Sequence, residues 1–344
     1  MNKQLIVLAT AAATFAPAAM AQSANPVTLY GRAWAMINSV KATGGALPLG
    51  TRTNVVDESS LLGVRGTEDL GGGLKAFFQL ESSFPIDANG GTFANRNSGV
   101  GLIGSFGTIM LGRWDGPFKL SAIFVDPASQ NTIANQLSVI NTGNFNRREI
   151  NTIQYWSPVV GGFSARLMYR VNEERTATAN PSNVSGYINY ANGPIRVNYA
   201  HEKHKDQRGS AVTAGVTETG QNLAGTVVFG PVKIGLLTQK IESTGRTDKK
   251  AHQASVTYTT GKNVVFVTVG RNRNGAVPTA LQPESKFSAI GYNYNFSRRS
   301  TLMFRYASLK NNAVSNAQMG GTDLPSFSVG NDPRGFGAGL RHTF

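Results

Sequence analysis

The chain contains no cysteine, so no disulfide holds it, and a set of small cross-linked modules is excluded. Histidine occurs only at positions 201, 204, 252 and 342, without metal-ligand spacing; a strand would turn His201 and His204 to opposite faces. Carboxylates are few, 19 against 33 Lys and Arg, and no acid/base pair or nucleophile beside a base marks an enzyme. The glycine motifs lack the strand-to-helix setting that a phosphate-binding cofactor would need, so neither a cofactor nor a metal is expected. Beyond residue 21 no run approaches the roughly 20 apolar residues of a membrane helix. If such a chain crosses a membrane, a closed β-barrel is the remaining way to satisfy every backbone group in lipid.

The first 21 residues read as a cleaved leader: Lys3, an apolar stretch, then Ala19-Met20-Ala21 as an A-x-A site. Thr10, Thr14 and Pro17 interrupt that stretch, which argues against an anchor, and cleavage is expected between Ala21 and Gln22. Residues 22–344 then form a single exported domain. The formal charge is +14 (33 − 19), yet the basic residues are scattered in ones and twos rather than gathered in a stripe. Export and scatter together exclude a nucleic-acid partner and leave small anions as the species such a charge can act on.

What the sequence has in quantity is alternation. In "GLKAFFQLESSF", Leu74, Ala76, Phe78, Leu80 and Phe84 share one parity, and Lys75, Gln79, Glu81 and Ser83 the other. Period 2 with an apolar and a polar side describes a strand with two different neighbours. About sixteen segments read this way, from "VTLYGRAWAMI" to "GFGAGLRHTF". The polar parity carries Lys, Arg, Gln, Glu and Asn, too hydrophilic for the core of a soluble sandwich and natural for a water-filled lumen. Tight turns such as "DLGGG", "ANGP" and "TTGKN" alternate with longer connections at 85–95, 115–149, 173–183, 203–218, 243–250, 272–284 and 310–334. That is the layout of an all-β, antiparallel transmembrane barrel with short periplasmic turns and long outer loops. The longest connection, 115–149, holds the apolar runs "LSAIFV" and "LSVI", which predict that it packs against the inner wall.

Several stretches together resemble the general porins of β-proteobacteria, the Neisseria, Bordetella and Comamonas type: "SANPVTLYGRAWAMI", "SSLLGVRGTEDLGGGLKAFFQLESSF", "NRNSGVGLIGSFGTIMLGRW", "NTIQYWSP" and the closing "GLRHTF". The resemblance implies a 16-stranded barrel, a homotrimer in the bacterial outer membrane, and a third loop, here 115–149, folded into the lumen. Outer-membrane lipids, lipopolysaccharide and the barrel assembly machinery are the partners it implies. The expected function is passive diffusion of small hydrophilic solutes with a preference for anions. A channel selective for organic anions, with Phe77 and Phe118 contributing to an aromatic track, and a soluble exported binding protein are the alternatives.

Charged side chains at a narrow point would set selectivity. Arg65 lies opposite in parity to Leu62 and Val64 and should face the lumen, and Arg148 shares parity with Thr152 and Gln154. Arg96 matches a family pore arginine, although simple alternation groups it with Val100 and Leu102; either a bulge intervenes or it lies above the membrane. Arg147, Lys75, Arg32 and Arg166 are further candidates, with Asp115 and Glu149 at the ends of the proposed constriction loop. Where relatives often carry an additional arginine this chain has Gln154, and Leu61 occupies a lumen-parity position, so the wall is less basic there. By the same alternation Phe336, Ala338, Leu340, His342 and Phe344 form an outward row, with the terminal ring at the aromatic girdle. The resemblance adds that Phe344 serves as an assembly signal.

Overall fold

The computed structural model describes residues 27–129, 131–140, 145–208, 211–275 and 281–344, so the expected leader and its Ala21–Gln22 boundary lie outside the described residues. The strands are β1 (Thr28–Gly44), β2 (Leu49–Asp57), β3 (Leu61–Gly71), β4 (Leu74–Ser83), β5 (Ser98–Gly104), β6 (Gly107–Asp115), β7 (Arg148–Trp156), β8 (Phe163–Arg170) and β9 (Ser182–Asn192). They continue with β10 (Ile195–Arg208), β11 (Ala211–Phe229), β12 (Val232–Ser243), β13 (Lys249–Thr260), β14 (Asn263–Asn274), β15 (Glu284–Asn295), β16 (Ser300–Asn311) and β17 (Asn331–Thr343). Neighbours pair antiparallel, and β17 returns to β1 from Arg32↔Thr343 to Gly44↔Asn331, which closes the sheet into a barrel.

Sixteen crossings emerge because β2 and β3 are two halves of one. Both pair with β1, β2 along Ala35–Ala42 and β3 along Thr28–Arg32. The Asp57 carboxylate organises the break between them by accepting the backbone N–H groups of Ser59 and Ser60 at 2.9 Å, with Ser59 at φ 91°. The polarity of 203–218 suggests a loop, but most of it is strand in β10 and β11. A hairpin that continues past the apolar band has no apolar side to betray it.

Burial is inverted relative to a water-soluble protein. Outward side chains such as Val100, Leu167, Ile188, Val267 and Ile290 are exposed, while Gln154, Asn198, Asn222, Gln239 and Thr268 are buried. Apolar atoms outside and polar atoms inside suit a lipid exterior and a wet lumen. Much of the inner burial comes from the described residues between β6 and β7, 116–129, 131–140 and 145–147, with two short helices, α1 (Pro117–Ile123) and α2 (Leu137–Ile140). Pro117 sets the start of α1, where its missing N–H is not needed.

This segment crosses the inner face of the barrel. Phe118 N–H donates to Ser185 Oγ, Asn222 donates to Ser121 Oγ, Ser255 to the Val125 carbonyl and Asn272 to the Val139 carbonyl. Its apolar residues Ala122, Val125, Ile133, Val139 and Ile140 join Leu237, Phe266, Phe287 and Leu309 in the largest buried cluster. The wall makes room with glycine: a Cβ at Gly270 would stand 2.8 Å from Val139 Cγ2, and one at Gly220 2.6 Å from the Phe145 ring.

Candidate functional site: the lumen wall

On the inner face of β1, β3 and β4 the register sets residues in rows: Thr28, Arg65 and Gln79; Tyr30, Gly63 and Glu81; Arg32, Leu61 and Ser83. Arg65 lies over the Tyr30 ring, 5.0 Å from its centroid, and the Tyr30 hydroxyl donates to Glu81 at 3.2 Å. Gly63 permits this, since a Cβ there would strike the Tyr30 ring at 2.4 Å.

Arg96 belongs to the same wall. Gln79 pairs with Gly99, yet the Arg96 N–H donates to the Glu81 carbonyl, so two steps along β4 match three on the facing chain. That extra residue is the bulge, and it turns Arg96 away from the row of Val100 and Leu102. Arg96 Nε then reaches Glu81 Oε1 at 2.6 Å, and Nη1 donates to Ser59 Oγ at 3.1 Å. Arg32 donates to the Ser59 carbonyl at 2.6 Å. The break between β2 and β3 thus supplies Ser59 as an acceptor to two guanidinium groups and brings the Asp57 carboxylate within electrostatic reach of Arg32.

A second knot follows at the head of the long segment. Asn97 bridges Arg148, whose Nε donates to Oδ1 at 2.6 Å, and Asp115, whose Oδ2 accepts from Nδ2 at 3.1 Å. Arg148 Nη2 lies 3.2 Å and Lys119 Nζ 2.8 Å from Asp115 Oδ1. Alternation does not survive here: Thr152 pairs with Gly112 but Glu149 with Trp114, with Asn151 at φ 56°, so an extra residue on β7 moves Glu149 into the row that parity gives to Arg148. Arg148 nevertheless stays within the electrostatic reach of Arg96, Arg113 and Glu81, because Asn97 and Asp115 hold it there.

Around these knots stand Arg32, Arg65, Arg96, Arg113, Arg148 and Lys119, against Asp57, Glu81 and Asp115. Arg113, which donates to the Asn95 carbonyl at 3.1 Å, escaped sequence reasoning because alternation places it with Ile109 and Leu111. The facing segment 116–147 contains a single carboxylate, Asp126, which is buried and accepts the backbone N–H groups of Ala128 and Gln136.

Other candidates stand elsewhere. Glu149 is only 2 % exposed; it pairs with Arg147, accepts from Asn183 at 3.0 Å and faces Arg170 at 4.0 Å. It thus joins the end of the long segment to β8 and β9, with Arg147 as its partner rather than as a free lumen charge. Next to this group Phe145 stacks on the buried His204, centroids 4.4 Å apart. Lys75 is exposed opposite Asp69, near the β3–β4 turn and about 20 Å of strand from Glu81. Phe118 packs on Phe145 in the buried anchor, whereas Phe77 meets Trp156 at 6.3 Å, with Arg166 over that indole at 4.4 Å.

The opposite wall adds cations that the sequence reading passed over. Lys233 donates to the Phe124 carbonyl at 2.7 Å and Arg196 lies over the Phe124 ring at 4.1 Å. Both share parity with polar inward neighbours, the signal that could have found them.

The family model for Gram-negative porins matches residues 8–314. The chain belongs to this porin family. Over its whole length the porin is 32% identical to outer membrane porin protein 32 of Delftia acidovorans, with both chains fully covered. It is 27% identical to the major outer membrane protein P.IB of Neisseria meningitidis, over 88% of this chain and 92% of that one. Among solved structures, the anion-selective porin from Comamonas acidovorans superposes with a TM-score of 0.78 at 28% identity, covering 93% of the porin and 99% of its relative. OmpT of Vibrio cholerae, at 14% identity and a TM-score of 0.68, shares the fold. The porin is therefore an outer-membrane, 16-stranded diffusion channel.

Proposed function

We propose that this porin forms trimers whose pores prefer anions, with residues 115–149 as the constriction. The observation that carries the reading is the imbalance across the lumen: five arginines cluster beside β1 to β7 against three carboxylates, Asp57, Glu81 and Asp115, and the facing residues 116–147 hold one more, Asp126, which is buried. In a narrow aqueous gap with low-dielectric walls, such an imbalance raises the local concentration of anions and lowers that of cations. Arg32, Arg96 and Arg148 each donate to a neutral acceptor, with a carboxylate beside Arg96 and Arg148 as well, so much of their charge remains available to a passing ion. Solutes cross hydrated and down their gradients, with no covalent step. The anion selectivity of the Comamonas relative and the trimer form of OmpT support this reading.

Planar-bilayer recording under a salt gradient tests it. The expected reversal potential has the sign of an anion-preferring pore, and the opposite sign would overturn the assignment of the arginine wall.

A further inference from the structure

On the inner face of β7 to β11 the register lines up Thr152, Arg170, Asn183, His204 and Glu218 in one row. Glu202 stands two residues before His204 on the same face, and Glu149 reaches the pair from β7. All three glutamates are buried, and His204 and Asn183 are 0 % exposed. Glu149 has two arginines, but one of them, Arg170, is shared with Glu174 at 3.1 Å. Glu202 has His204 and Asn183 beside it and, among the described residues, pairs with no Lys or Arg. A buried carboxylate without a matching cation is costly, so this corner of the wall is short of positive charge.

Its donor atoms converge. One atom each of Glu149, Glu202 and His204 lie within 4.8 Å of one another, and His204 Nε2 is 2.6 Å from Glu202 Oε1. Asn183 is wedged between the carboxylates: its Nδ2 donates to Glu149 Oε1 at 3.0 Å and to Glu202 Oε1 at 3.4 Å, while its buried Oδ1 has no hydrogen-bond partner. A half turn of that amide would bring the orphaned oxygen to face both carboxylates, which repels unless a cation lies between them. Arg147 engages Glu149 through Oε1, and Oε2 has only Arg170, at 4.0 Å.

We propose that these residues bind a divalent transition-metal ion of the zinc type, with His204 Nε2, Glu149, Glu202 and Asn183 Oδ1 as ligands. An imidazole among oxygen donors suits zinc, whereas magnesium and calcium take oxygen alone. Spacing along the chain hides the set, because its members come from β7, β9 and β10 and meet only through the register. The ion fastens both ends of the long segment. Phe145 stacks on His204 at one end, and at the other the Gly116 N–H donates to the Arg147 carbonyl, next to Glu202. The inference concerns this anchor and is independent of pore selectivity and of the trimer.

The test uses the full barrel in detergent, stripped of metal with a chelator, dialysed and titrated with zinc. Elemental analysis should find one zinc retained per chain, and the bound ion should raise the unfolding temperature; magnesium or calcium in excess should do neither. X-ray absorption at the zinc edge should show one imidazole at about 2.0–2.1 Å among oxygen ligands. His204→Gln should weaken zinc binding by more than roughly a hundredfold, beyond what loss of a group merely hydrogen-bonded to a ligand costs. His204→Cys keeps a ligand at the position and should restore metal binding with cadmium favoured over zinc relative to wild type, which separates ligation from folding. Wild type that retains no zinc, wild-type affinity in His204→Gln, equal retention of calcium, or an edge spectrum without imidazole would overturn the proposal. Bilayer conductance of each variant reports separately that the channel is intact, so failure of the metal site and failure of the pore reading are distinguishable.

Discussion

Arg96 and Glu81 meet at 2.6 Å across a bulge, and the same Arg96 reaches Ser59 in the gap between β2 and β3. Two irregularities of the sheet therefore place one guanidinium in the lumen wall. Regular alternation would have sent it to the lipid side.

Because Glu81 neutralises part of this wall, the two partners should act in opposite directions. Arg96→Gln should lower anion preference and Glu81→Gln should raise it, both read as shifts in reversal potential. The shifts should shrink in about 1 M salt, where the screening length falls to roughly 3 Å.

The seat of the long segment depends on missing side chains. Gly270→Leu would put atoms where Val139 lies, and Gly220→Leu where Phe145 lies. Overpacking of this kind costs about 1–3 kcal/mol, so the segment should shift and single-channel conductance should change. Unaltered conductance and heat stability in both variants would show that the contacts do not position the segment.

Glu149 tests anchoring separately from selectivity. Truncating it to Ala leaves the half-buried Arg147 without its partner and Arg170 with Glu174 at 3.1 Å, a loss below the roughly 3–5 kcal/mol of a fully buried, uncompensated pair. Denaturant unfolding should reveal that loss. Arg65→Gln, on an exposed cation held only over the Tyr30 ring, should leave stability nearly unchanged and reduce anion preference.

The terminal residue closes the barrel. The Phe344 N–H donates to the Gly31 carbonyl and the Gly31 N–H to the Phe344 carbonyl, both at 3.1 Å, while the aromatic ring covers the place where a Gly31 side chain would stand. Deleting Phe344, or replacing Gly31 with Val, should slow insertion and lower the yield of heat-resistant barrel on gels. Assembly at the normal rate in both variants would separate the terminus from barrel closure.

The sequence by itself determined the barrel. Period-2 alternation, tight turns and the lack of any apolar helix leave one membrane-crossing architecture, because only a closed sheet pairs every backbone group in lipid. It also marked Arg65, and it marked 115–149 as a segment that needs a wall to pack against. Only the tertiary structure decided which cations gather. Arg96 and Arg148 join Asn97, Glu81 and Ser59 through bulges, and Glu149 turns into the buried anchor beside Asn183, because one extra residue reverses the facing of everything beyond it. Alternation is a local property, fixed by the chain. Register across strands is a long-range one, set by pairing with residues far away in sequence, and the lumen charges follow the register.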